Sequence, residues 1–131
     1  MSSPSFKRPT DAELSILRVL WARGPSTVRE VLDALQSDVG YTTVLKLLQI
    51  MTVKGLAKRD EAERTHTYRA GVTQTQTERR LVKDLITKAF GGSAEKLVMH
   101  ALDAVRSSPE ELEQIRKLLD QPRQSQAPKD K

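Results

Sequence analysis

Thr42, Lys46 and Gln49 are spaced to share one side of a helical stretch, and their side chains suit contact with a polar, anionic ligand. On the other side Val44, Leu47, Leu48 and Met51 repeat at i, i+3, i+4 and i+7. A helix built this way can pack one side on its own domain and offer the other to a DNA major groove. Gln49 suits an adenine edge, and Lys46 suits a guanine edge or a phosphate. Thr42 and Thr43, near the helix start, bring hydroxyls and backbone amides to phosphate oxygens. The same residue types also serve on a solvated helix face, so this face alone leaves both readings open. Just downstream, Lys58, Arg59 and Arg64 flank a polar turn, and a basic hairpin there can lie along the DNA backbone or in the minor groove. Asp60, Glu61 and Glu63 interrupt it and repel phosphate, which confines contacts to Arg59, Arg64 and the hairpin ends.

Other chemistries lack their residues. The chain has no Cys, which excludes disulfides, thiolate metal sites and a Cys nucleophile. His66 and His100 lie far apart and outside any helical metal spacing, so no metal site is expected. No phosphate-binding loop, nucleophile elbow or dinucleotide fingerprint is present, and neither enzymatic activity nor a cofactor is expected. His66 reads as a solvent-facing strand residue and His100 as a helix surface or interface residue. Trp21 and Tyr68 read as packing groups, with the Tyr68 hydroxyl offered to the backbone. With only 4% aromatic residues, a stacking platform for single strands is not expected.

Helices must carry these residues. The chain has 131 residues, enough for one ordinary domain or a small domain with an appendage. It is 37% hydrophobic and 30% charged, with a net charge of +5. The low aromatic content favours helix over sheet. The positive charge is concentrated between Tyr41 and Gly71, where Lys46, Lys54, Lys58, Arg59, Arg64 and Arg69 outnumber Asp60, Glu61 and Glu63. No apolar run reaches the ~18 residues of a membrane span, and MSSPSFKRPT lacks the apolar core of a signal peptide. A cytoplasmic protein without membrane contact is expected.

Thr10-Asp11-Ala12-Glu13 predicts a capping box opening a first helix that ends before Gly24-Pro25. Leu14, Leu17 and Trp21, flanked by Ile16 and Leu20, form its apolar face. Thr27-Val28-Arg29-Glu30 opens a second helix with Val28, Val31, Leu32 and Leu35 in register. A third runs from Tyr41 or Thr42 to Lys54, with Gly55 closing it. The expected core of this part is Leu14, Leu17, Trp21, Val31, Leu35, Val44, Leu48 and Met51. Residues 56–60 and 65–70 read as a hairpin around Glu61-Ala62-Glu63-Arg64. Three further helices follow, over about 73–90, 93–106 and from a capping box at Ser108-Pro109-Glu110-Glu111. Their apolar stripes, marked by Leu81, Leu85, Ile86, Leu97, Leu102, Leu112 and Ile115, need a partner surface, and a second copy of the chain is the expected one. The pattern therefore predicts a mainly α fold with a small β-hairpin, namely a winged helix-turn-helix domain (10–72) followed by a helical dimerisation region (73–120). A flexible arm (1–9) and a polar tail (121–131) are expected to flank them.

The stretches P-T-D-A-E-L-S-I-L-R-V-L-W, T-V-R-E-V, G-Y-T-T-V-L-K-L-L-Q, V-K-G-L, T-H-T-Y-R and F-G-G-S-A-E-K-L-V, in this order, resemble the penicillinase-repressor family over about residues 9–119. The resemblance implies a dimeric repressor whose winged helix binds operator dyads. It places the recognition helix on Tyr41 to Lys54, gives Thr42, Thr43 and Lys46 the expected DNA contacts, and matches Tyr68 to the wing tyrosine. Tyr41, Gln49, Lys54, Arg59 and Arg64 complete the expected DNA-facing set. The chain departs from the family where Arg-Leu often stands late in the recognition helix and Ile50-Met51 stands here. It departs again where β-lactam-responsive members carry an Asn-Phe bond cut by a sensor protease, since His100-Ala101 occupies that place. The copper-responsive branch uses a C-terminal cysteine motif that a Cys-free chain lacks. A sensor protease and a small-molecule inducer are therefore both open as releasing partners. The expected function is a homodimeric, sequence-specific repressor on a palindromic double-stranded operator; the alternative is a winged-helix module that docks protein partners.

Overall fold

Side-chain caps set where the first helices begin. In a computed structural model of the chain, which describes residues 8–62 and 64–121, the Thr10 hydroxyl accepts from the Glu13 amide and the Glu13 carboxylate accepts from the Thr10 amide. This capping box opens α1 (Asp11–Arg23). Thr27 and Glu30 repeat it at the start of α2 (Val28–Leu35). Helix α3 (Tyr41–Lys54) stops on Gly55, whose left-handed backbone at φ 85° sends its amide back to the last turn. Most of the expected arm and tail, up to residue 7 and from 122 on, lies outside the described residues. Arg8 and Pro9 are described: Pro9 is buried and Arg8 pairs with Asp84 at 3.0 Å.

Strands β1 (Ala57–Asp60) and β2 (Thr67–Ala70) form the hairpin, with Ala57 opposite Ala70 and Arg59 opposite Tyr68. Each is shorter than the sequence pattern suggests, and His66 falls in the turn before β2 rather than in a strand. Ser26, in the loop ahead of α2, exchanges two backbone hydrogen bonds with Tyr68, at 2.9 and 2.8 Å. The loop thus adds a third edge to the hairpin. A single bridging residue has no periodicity, so sequence pattern could not announce it.

The core gathers Ile16, Leu17 and Leu20 of α1, Val28 and Val31 of α2, Val44, Leu48 and Met51 of α3, and Leu56, Ala57 and Tyr68. Of the expected core, Trp21 and Leu35 pack only at its edge, and Leu14 is half-buried and outside the cluster. The reason is rotation of α1 about its axis. Its buried side centres on Glu13, Ile16, Leu17 and Leu20, a placement that counting only apolar residues would reject because it buries a carboxylate. Lys54, at the end of α3, pairs with that carboxylate.

Helices α4 (Gln74–Ala89), α5 (Ala94–Ala104) and α6 (Pro109–Asp120) complete the chain. It divides into two compact units, up to Leu85 and from Ile86 on. The first unit takes in most of α4, where Thr77 is buried and Trp21 donates its indole N–H to the Val72 carbonyl at 3.0 Å. In the second, Ser93 and Ser108 cap α5 and α6 by accepting from the Lys96 and Glu111 amides. Neither helix buries a residue. His100 lies on the surface of α5 and stacks on Phe90 with ring centroids 5.6 Å apart. No helix among the described residues is long and apolar enough to cross a membrane.

Candidate nucleic-acid interface

The periodicity of α3 turns Val44, Leu48 and Met51 fully inward and leaves Thr42, Thr43, Lys46 and Gln49 exposed on the other side. The helix begins at Gly40 with no side-chain cap, so the amides of its first turn stay available to an anion. Tyr41, also expected to face DNA, is half exposed, and the Arg29 guanidinium sits 5.3 Å from its ring centroid. Arg29 was not among the sequence candidates. It lies on another helix, and its stacking on Tyr41 is set by the α2–α3 angle rather than by any local pattern. A cavity of about 260 Å³ there brings Arg29, Tyr41, Arg64 and His66 to one place.

The wing meets α3 across a second cavity of about 340 Å³, lined by Gln49, Thr52, Arg59, Glu61 and Tyr68. Arg59 is ion-paired with Glu61 and lies directly across the strand pair from Tyr68. These two partners hold the Arg59 guanidinium above its ordinary pKa, so its charge is permanent but already matched by an anion. The acidic wing residue that sequence reading treats as mere repulsion is a specific partner of the chief wing cation.

Lys54 takes another place from the one expected of it. Its ammonium donates to both Glu13 oxygens, at 2.8 and 2.9 Å, with the Glu13 side chain only 3% exposed. Burial pushes the Glu13 carboxyl up, but the bonds from Lys54 and Thr10 outweigh it and leave the group below its ordinary value. Lys54 thus ties the end of α3 to the start of α1. Its charge is used inside the protein.

Three helices with a hairpin wing, an outward polar face on the third helix and basic groups converging beside it define a winged-helix DNA-binding fold. The penicillinase repressor family model matches residues 9–121, and the chain belongs to that family. The chain is 31% identical over 99 residues to the transcriptional regulator BlaI of Mycobacterium tuberculosis, covering 72% of each chain. It is 21% identical to the penicillinase repressor of Staphylococcus aureus, covering 82% of this chain and 87% of that one. With the methicillin resistance regulatory protein MecI of the same species it shares 20% identity, over 84% and 91%. A solved MarR family transcriptional regulator from Silicibacter pomeroyi aligns with a TM-score of 0.44 at 20% identity, covering 82% of this chain and 63% of that one. The protein is a winged-helix transcriptional repressor of the BlaI/MecI type, and the family comprises transcription regulators rather than enzymes.

Proposed function

We propose that this repressor binds a palindromic double-stranded operator as a homodimer, inserting α3 into the major groove and laying the wing along the backbone. The observation that carries the reading is the division of α3, with Val44, Leu48 and Met51 buried and Thr42, Thr43, Lys46 and Gln49 exposed on the opposite side. Arg64 and Arg29 supply cationic groups at the edge of that face, with the His66 ring beside them, and Arg59 joins them when phosphate displaces Glu61.

Dimerisation is supported by the helices that follow the wing. Leu85, Leu102 and Leu112 are each more than 40% exposed, while Leu81, Ile86, Leu97 and Ile115 are half-buried. Short helices with uncovered apolar stripes gain by pairing with a second copy, and a two-fold pair of winged domains matches a two-fold operator. The test is binding of the full chain to duplex DNA across a salt series, with footprinting and the mass of the complex. The reading expects a steep fall of affinity with salt, two dyad-related footprints and two chains per site. One chain per minimal site, or affinity indifferent to salt, would reject it.

A further inference from the structure

The outward side of α3 carries more than its polar residues. Ile50 and Val53 are 39% and 89% exposed, although large aliphatic groups gain from leaving water. At 100° per residue Val53 lies about 20° and Ile50 about 40° around the helix from Lys46, within the arc that also holds Thr42 and Gln49. Neither belongs to the core cluster or to the residues packed at its edge. The core side of α3 is already filled by Val44, Leu48 and Met51. The recognition face therefore begins polar at Thr42 and becomes aliphatic in its second half.

In a major groove, one base-edge group rewards contact with such a side chain. It is the C5-methyl of thymine, because the other exposed groups are hydrogen-bond donors and acceptors that an aliphatic residue would desolvate without bonding. Lys46 and Gln49, one turn earlier on the same arc, point at the same groove, so the aliphatic pair continues that interface. We propose that Ile50 and Val53 are specificity-determining residues that read thymine methyl groups in the operator. The inference rests on the DNA-binding reading above and adds the base chemistry the operator must offer under the second half of α3.

Deoxyuridine isolates this contact, since replacing thymine with it removes the methyl and keeps the hydrogen-bonding edge. The probe is a duplex enriched from a random pool by the full-length protein, then resynthesised with deoxyuridine for thymine. Each methyl seated on the pair contributes about fourfold in affinity, so the wild-type protein should bind the altered duplex at least fourfold more weakly. An Ile50→Ala/Val53→Ala protein should bind the two duplexes within twofold of each other. Both side chains lie outside the core, so its thermal unfolding should match wild type; Ile50→Val alone, one methylene smaller, should show intermediate sensitivity. Wild-type indifference to deoxyuridine overturns the proposal. So does an equal loss for wild type and double variant, because the methyls would then act through DNA shape, and the aliphatic pair would be left to a protein partner. If no duplex is enriched at all, the DNA-binding reading falls and this inference with it. Enrichment without deoxyuridine sensitivity removes this inference alone.

Discussion

Two ion pairs give single residues opposite duties. Glu61 holds Arg59 on the exposed wing, so any phosphate must compete with a carboxylate already in place. Replacing Glu61 with Gln removes that competitor. Binding to random duplex should tighten and the salt slope should steepen by about 0.9, the value for one added phosphate contact; an unchanged slope in a salt titration would show that Arg59 stays off the DNA. Lys46 lies exposed on the outward side of α3, and if that side enters the groove as proposed, Lys46→Ala should narrow the ratio of operator to random affinity by about tenfold. Competition binding with both duplexes measures it.

Glu13 works inside the fold. Its carboxyl titrates below its unfolded value of 4.5, so it contributes stability that is fully present above that pH and is lost as pH falls through the lowered folded value. Urea midpoints of wild type should drop between about pH 5 and pH 3. A Glu13→Gln protein, less stable at neutral pH, should lose less over the same interval. Parallel curves would show that the Lys54 contact does not outweigh burial.

At the scale of elements, the wing is fixed to the helical part by backbone bonds as well as by the buried Ala57 and Tyr68 side chains. Gly71 donates its amide to the Leu56 carbonyl at 2.8 Å, and a Cβ at Gly71 would sit 2.5 Å from the Gly55 carbonyl oxygen. Both neighbours are main chain at the α3–β1 junction and cannot swing aside. Gly71→Ala should therefore destabilise the protein by about 1–3 kcal/mol and loosen the wing. Chemical denaturation measures the first effect. Faster amide exchange at Tyr68 and Ser26, which share the adjoining bridge, would reveal the second. A fully stable variant would mean that the junction opens easily, contrary to this close packing.

For the whole molecule, the decisive question is what covers α5 and α6, which bury nothing within one chain. Leu102 is 41% exposed, so Leu102→Asp costs the single chain little but, in the dimer proposed above, would place two carboxylates in a symmetric interface, where they would be desolvated together. Light scattering should then report a monomer, with helical content kept by circular dichroism. Operator affinity should fall because the two half-sites no longer share one binding event. A dimer of wild-type mass would put the contact elsewhere.

Local chemistry was readable from the residues alone. Thr10 with Glu13, Thr27 with Glu30, Gly55 after Lys54 and the i, i+3, i+4 repeat of α3 each act within one or two turns, so sequence spacing by itself determined where helices begin and end and which side of α3 faces outward. Pairings between distant residues were decided only by tertiary structure. Lys54 meets Glu13, Arg29 meets Tyr41, Ser26 bridges Tyr68, and α1 is turned so that a carboxylate lies in its buried side. None of these has a period, because each depends on the angle at which two elements cross. A basic residue near the end of a recognition helix has the same composition whether it reaches a phosphate or a buried Glu, and only packing distinguishes the two.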